Sequence, residues 1–252
     1  MTATEVRVAI RAVSFDFGQT LATIDVDFLA EKLTRFEALR APRERYAAAL
    51  GGAWSAYDEA VRAGLGGHPW RVFMRALLEG AIDGADPRVL AEAVEFLWLD
   101  QPRSNLWRQR LPEMIQLVEE LRARGVPYAI LSNSEGKLRE LLDEMELSPL
   151  FPIVADSGVL GVEKPDKRIF DWVSTQLGVP HAEILHIGDS LGADVMGALG
   201  AGYSAVWFRP SEFGMRGPSG AVPVGPELAD RAHVAANAAD VRAILDRLIP
   251  PT

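Results

Sequence analysis

The chain contains no cysteine. That excludes disulfides, thiolate metal centres and a cysteine nucleophile. No apolar run reaches the roughly 18 residues needed to span a bilayer, so no membrane helix is expected. The start of the chain, up to Phe15, has no long apolar stretch behind a basic segment and does not read as a secretory leader. Positive charge is also short. The 26 Lys and Arg face 35 Asp and Glu, leaving −9, which argues against the basic face of a nucleic-acid binder. There is no internal repeat and no low-complexity tract. What is present is 48% hydrophobic and 24% charged over 252 residues, enough apolar material for a sizeable core. A soluble, cytoplasmic protein is the expectation; oligomeric state is not legible.

The hydrophobic rhythm changes along the chain. Residues 8–15 (VAIRAVSF) form a short β-rich run with Arg11 as its one interruption. From about Asp25 to Asn105 apolar residues recur every three or four positions, as in Leu29, Leu33, Phe36 and Leu39, over four or so helices. DFLAEKLTRFEALR reads as one of these helices, and the breaks fall at Pro42, Gly64–Pro69 and Gly84–Pro87. From about residue 111 strands and helices alternate. The strands are VPYAILSN, PIVAD, AEILHIGD and YSAVWF, with a last edge strand at HVAAN; DVMGALGAG reads as a short helix. Alternation at this spacing means βαβ units and a parallel sheet. Residues 209–230 are Pro- and Gly-rich and read as a long loop. The expected fold is therefore α/β, a Rossmann-like doubly wound parallel sheet. Residues 1–24 and 106–252 form its core, and residues 25–105 form an all-α helical domain inserted after the first strand.

Open α/β sheets bind ligands at the carboxyl ends of their strands, so the residues there can be compared. The first strand ends in Asp16, within VSFDFGQTL. The next ends in Ser132-Asn133. Lys164-Pro165 follows the third, and the fourth ends in Gly188-Asp189 with Asp194 five residues on. Each has an ordinary reading: a turn, a helix cap, a solvated lysine, a first-turn acid. Together, at one rim of one sheet, they form a constellation that those readings do not account for.

The ordered set Asp16…Thr20-Leu21, Ser132-Asn133, Lys164-Pro165 and Gly188-Asp189…Asp194 resembles the four motifs of the haloacid dehalogenase-like hydrolase superfamily, over residues 8–208 or more. The helical insertion resembles the cap of the subgroup that carries its lid between motifs one and two. The resemblance implies a phosphatase acting on a small phosphorylated metabolite, in which Asp16 attacks phosphorus and carries an aspartyl-phosphate. It implies Mg²⁺ held by Asp16, Asp189 and the backbone oxygen of Gly18. Ser132, Asn133, Lys164 and Thr20 would serve the phosphate, with Lys164 as counter-charge, Thr20 also tying down the turn and Asp194 orienting Lys164 or a metal-bound water.

One position departs from the pattern. Phosphatases of this superfamily usually carry a second Asp two residues after the nucleophile, as general acid. Here that position is Gly18, followed by Gln19 where Gly is usual. Loss of a positioned acid typically costs roughly 10²–10⁴-fold. Either the leaving group needs little help, or Asp25, Asp27 or a cap residue stands in. Two other readings stay open: a 2-haloacid dehalogenase, and a catalytically weak phospho-ligand-binding protein. Asp189 weighs against the dehalogenase. Lys32, the one lysine of the insertion, is the candidate for Schiff-base chemistry. Arg35, Arg40, Arg43 and Arg45 are candidates for an anionic substrate, or an exposed helix face. Trp54, Trp70, Trp98 and Trp107 read as core rather than a ligand cage. The four histidines, 68, 181, 186 and 233, show no metal-ligand spacing, and His186 reads as a satisfied core residue.

Overall fold

A continuous apolar run suits a strand buried on both faces, as in a parallel sheet. In the computed structural model, which describes residues 9–63, 69–210 and 221–249, the first such run forms β1 (Ala12–Phe15), wholly buried. Arg11 falls outside the strand, where it pairs with Glu183 at 2.8 Å. A two-residue strand β2 (Ala22–Thr23) follows, then helices α1 (Val26–Leu33), α2 (Arg43–Arg62), α3 (Trp70–Ala81) and α4 (Pro87–Asp100). Strand β3 (Gln109–Arg110) then pairs with β2. The rest of the chain alternates: α5 (Pro112–Ala123), β4 (Tyr128–Ser132), α6 (Leu138–Glu144), β5 (Val154–Asp156), α7 (Ser157–Leu160), α8 (Lys167–Leu177), β6 (Ile184–Gly188), α9 (Gly197–Ala201), β7 (Ser204–Phe208), β8 (Ala232–Ala235) and α10 (Ala238–Leu248).

The chain divides into two compact units, one of residues 1–22, 110–209 and 218–252, the other of residues 23–109 and 210–217. The first holds a six-stranded sheet in the order β5-β4-β1-β6-β7-β8, every neighbouring pair parallel. One face carries small residues, Ala12, Ala129, Ala155 and Ala205, and these let Ile169, Phe170 and Val173 of α8 and Ala198 of α9 pack closely onto it.

In the second unit α3 shows how the sequence builds the packing. Trp70, Phe73, Met74, Leu77, Leu78 and Ala81 recur at three- and four-residue spacing and are all buried. They share a core with Tyr46 and Trp54 of α2 and Leu90, Ala93 and Leu97 of α4. Helix α4 starts as its sequence dictates, with Asp86 accepting from Arg88 N at 2.8 Å and Pro87 in the first turn. No helix among the described residues is long and apolar enough to cross a membrane.

Two of the expected helices differ from the sequence reading. DFLAEKLTRFEALR is not one helix: α1 stops at Leu33 and Glu37–Leu39 forms a separate 3₁₀ turn. The Thr34 hydroxyl donates to Glu31 O at 2.7 Å, and the Arg40 guanidinium donates to Thr34 O at 2.8 and 2.6 Å, so side chains take over the ladder. The helix expected at DVMGALGAG begins earlier, as a π-helical stretch Leu191–Met196 ahead of α9. There the N–H groups of Asp194 and Val195 both reach Ser190 O, at 3.0 and 3.1 Å. Of the loop expected over 209–230, residues 211–220 lie outside the described residues, and Pro226–Arg231 forms a 3₁₀ stretch. The start of the chain up to residue 8, most of the break at 64–69, and His68 with it, also lie outside the described residues.

Candidate active site

The strands end level with one another. Phe15 pairs in register with Ile130 of β4 and with Ile187 of β6. Asp16, Ser132 and Gly188-Asp189 therefore leave the sheet at the same carboxyl rim. β1 lies between β4 and β6, where the chain departs to opposite sides of the sheet, the usual ligand position in such folds.

Lys164 enters this rim from the segment ahead of α8. Its Nζ donates to Asp16 Oδ1 at 2.6 Å, to Asp194 Oδ1 at 2.6 Å and to Leu131 O at 2.8 Å. An ammonium has three N–H bonds, and all are spent. The backbone of Lys164 is fixed by the Asn133 side chain, whose Nδ2 donates to Lys164 O at 2.9 Å and whose Oδ1 accepts from Lys164 N at 2.8 Å. Asn133 thus holds the lysine segment, and it does not cap a helix. Asp194 is as fully engaged: Oδ1 accepts from Lys164 and from His186 Nε2 at 3.1 Å, and Oδ2 accepts from Ser190 N at 2.8 Å.

Burial sets the electrostatics. It pushes the Asp16 carboxyl above its usual range, against the pull of the Lys164 charge, and the Asp194 charge adds to the push. For Asp194 burial is outweighed by the Lys164 charge and the His186 hydrogen bond, which hold it well below the carboxylate range. Lys164 is opposed by burial but raised by Asp16 and Asp194. Asp189 is pushed well up by burial and then by the charges of Asp194 and Asp16.

Asp16, Asp189 and Asp194 each bring a carboxylate oxygen within 4.8 Å of the others. Lys164 offsets one negative charge in direct contact, and the remaining carboxylate charge makes the cluster a candidate cation site. With Asp194 committed, Asp16 and Asp189 are the carboxylates able to turn to one. An all-oxygen donor set suits a hard ion, Mg²⁺ or Ca²⁺, over a thiophilic one.

The turn after Asp16 is built by the backbone. Phe17 O accepts from Thr20, Leu21 and Ala22 N at 3.4, 2.9 and 3.0 Å, and Asp16 N donates to Ile187 O at 2.8 Å. Thr20 does not tie this turn through its side chain: its buried hydroxyl has no hydrogen-bond partner among the described residues. Gln19 has φ +55°, the left-handed region where glycine is at ease, so the turn carries strain of about 1–3 kcal/mol. Gly18 sits half-buried at this turn, and Ser132 is buried at the end of β4.

The other residues singled out from sequence are accounted for inside the helical unit. Asp25 caps α1, accepting from Phe28 N at 3.0 Å, and Asp27 pairs with Arg43 at 2.8 Å. Lys32 is paired with Asp100. Arg45 pairs with Asp83 at 2.6 Å, and Arg35 lies 4.0 Å from the centroid of Phe96. Trp54 and Trp70 are core residues, with Trp98 and Trp107 packed against that core.

Four contributors escaped the sequence reading. His186 is buried as expected, yet it touches Asp194 and, through Nδ1, Ser14 Oγ at 2.9 Å. Polar residues inside otherwise apolar buried strands were the signal for both. Asp156, at the end of β5, accepts from Gly136, Gly158 and Leu138 N at 3.0, 2.9 and 2.9 Å, anchoring the segment that follows Asn133. Arg209, buried after β7, pulls the Asp189 carboxyl downward, as Lys164 also does, against the larger upward push of burial and the neighbouring carboxylates.

Comparison with known proteins points the same way. A family model described as haloacid dehalogenase-like hydrolase matches residues 10–202. The phosphoserine phosphatase of Thermus thermophilus is 34% identical over 209 residues, 78% of this chain and 80% of that protein. A crystal structure of a HAD phosphatase from Thermococcus onnurineus superposes with TM-score 0.53 at 26% identity, over 94% of this chain and 98% of that one. A 2-haloacid dehalogenase from Pseudomonas syringae gives TM-score 0.54 at 19% identity over 94% and 99%, a likeness of fold alone.

Proposed function

We propose that this chain, which belongs to the haloacid dehalogenase-like hydrolases, is a Mg²⁺-dependent phosphatase acting on a small phosphorylated metabolite, with the helical unit as its cap. Family membership and the phosphatase relative make it a hydrolase of phosphate monoesters. One observation supports the finer reading: Asp16, Asp189 and Asp194 bring carboxylate oxygens within 4.8 Å of one another, and the buried Lys164 bonds two of them.

Asp16 is the nucleophile. Lys164 holds its Oδ1 and leaves Oδ2 outside that contact, free to form the bond to phosphorus as the P–O bond to the leaving group breaks. Water then hydrolyses the aspartyl-phosphate. Lys164 acts on the phosphate through its charge, since all three of its N–H bonds are engaged. The Ser132 hydroxyl is the donor to a phosphoryl oxygen. Asp16, Asp189 and the Gly18 carbonyl would hold Mg²⁺, and the ion supplies charge neutralisation that lets a phosphate approach carboxylates. Asp194 orients Lys164. Gly18 carries no proton donor, so turnover is fastest on leaving groups that depart without one.

The test is phosphate release from a metabolite panel, with and without Mg²⁺, beside Asp16→Asn. Turnover that needs Mg²⁺ and is lost in Asp16→Asn supports the reading. Metal-independent turnover, an unaffected variant, or halide release from 2-haloacids without metal would sink it.

A further inference from the structure

Behind the lysine lies a buried chain of contacts that the hydrolytic reaction does not itself use. Ser14 and His186 stand on adjacent parallel strands, paired in register, and both are 0% exposed. Ser14 Oγ and His186 Nδ1 are 2.9 Å apart; His186 Nε2 and Asp194 Oδ1 are 3.1 Å apart; Asp194 Oδ1 and Lys164 Nζ are 2.6 Å apart. Lys164 Nζ then meets Asp16 Oδ1 at 2.6 Å. The line starts two residues before the nucleophile and returns to it through three side chains.

The donors along this line follow from chemistry. An ionised carboxylate only accepts, so His186 carries a hydrogen on Nε2 and donates it to Asp194. Lys164 donates to the same oxygen. Nδ1 is then left to the Ser14 hydroxyl, which sets the ring about its axis. Phe170 packs edge-on against the imidazole, centroids 5.8 Å apart at 88°, and blocks other orientations. Without the histidine donor, Asp194 Oδ1 keeps only Lys164 and is free to rotate about the Ser190 contact, taking the ammonium off Asp16. Leaving a buried acceptor under-satisfied in this way is costly.

We propose that His186, oriented by Ser14, is a positioning residue: its hydrogen bond to Asp194 sets the place of Lys164 and so the orientation of the Asp16 carboxylate. The effect on catalysis rests on the phosphatase reading; the effect on Lys164 does not.

Two measurements test it. The first is the ¹⁵N–¹H signal of the Lys164 ammonium in the full-length protein, assigned by its loss in Lys164→Met. Its protons are buried and bonded in the wild type, so they exchange slowly and the signal is seen. It should vanish in His186→Phe, which keeps a ring but has no donor, and return in His186→Gln, whose amide can reach Asp194. An unchanged signal in His186→Phe overturns the proposal. If His186→Phe does not fold, Ser14→Ala is read the same way: broadening supports the proposal and an unchanged signal overturns it. The second is hydrolysis of p-nitrophenyl phosphate with Mg²⁺. Removing an outer hydrogen-bond partner of a site typically costs roughly 10–100-fold, so His186→Phe should lose that much in kcat with KM unchanged, and His186→Gln should regain most of it. Combining His186→Phe with Asp194→Asn should cost little beyond Asp194→Asn alone, because both act through one contact. Additive losses, as general structural damage would give, overturn the proposal. Failure of the wild type to turn over would count against the phosphatase reading, while the Lys164 signal would still decide this one.

Discussion

A Cβ on Gly188 would lie 2.3 Å from the carboxyl carbon of Asp194 and 2.5 Å from its Oδ2. The last residue of β6 is glycine because the carboxylate that steadies Lys164 occupies the space of a side chain. Gly188→Ala must therefore displace Asp194, at a cost of about 1–3 kcal/mol for overpacking, with turnover falling at least tenfold as Lys164 loses its partner. Gly192→Ala, with nothing within 4 Å of its Cβ, is the control. Urea unfolding and kcat of the two variants check this, and equal behaviour would refute it.

Lys164 is 4% exposed and touches two carboxylates directly. Removing one member of a buried ion cluster leaves uncompensated charge, which costs about 3–5 kcal/mol. Lys164→Met should lose that much stability in urea unfolding as well as its activity. A variant that is inactive but as stable as the wild type would mean the carboxylates are not held by the lysine.

On the metal reading, a cation bound between Asp16 and Asp189 would relieve the crowding of Asp16, Asp189 and Asp194 within 4.8 Å. A ligand that binds only the folded state stabilises it by mass action, about 2.7 kcal/mol at a hundred times its dissociation constant. Mg²⁺ should raise the Tm of the wild type and EDTA should reverse the rise. Asp189→Asn should abolish most of the response. A Tm indifferent to Mg²⁺ would contradict the metal assignment without any reference to substrate.

Asp166 caps α8, just after Lys164-Pro165, accepting from Arg168 N at 2.9 Å and pairing with the Arg168 guanidinium at 2.6 Å. The Arg168 side chain, then its backbone N–H, hold the Asp166 carboxyl at about 2, below the usual 3.8. A depressed pKa means that this contribution to stability is present above the unfolded value and is lost as pH falls through the folded one. Between about pH 4 and pH 2 the wild type should therefore lose stability relative to Asp166→Asn, which keeps an acceptor but has no charge to lose. Urea midpoints across that window are the measurement. A constant difference would show that Arg168 does not stabilise the charged form.

Local pattern and chemistry carried far. The three-and-four spacing of Trp70, Phe73, Met74 and Leu77 announces the inward face of α3, and the apolar runs around Val13, Ile130 and Ile187 announce buried parallel strands. Asp16, Lys164, Asp189 and Asp194 are visible as a set: each alone has an ordinary reading, but together they fall at one rim of one expected sheet. Helix boundaries were less legible. Thr34 and Arg40 end α1 through side-chain bonds to carbonyls, and Ser190 opens a π-helical stretch, neither of which has a periodic signature.

By itself, then, the chain's sequence determined the elements, their alternation, the helical insertion and the set of residues at the strand ends. These depend on near neighbours and on the period of apolar residues. Only the tertiary structure decided what those residues do to one another. Lys164 meets Asp16 across 148 positions, and Asn133 is turned toward the lysine backbone. His186 passes from core residue to partner of Asp194, and Gly188 becomes obligatory because a carboxylate fills its place. Such contacts are set by register and by packing between distant segments, where a shift of an ångström makes or breaks a hydrogen bond.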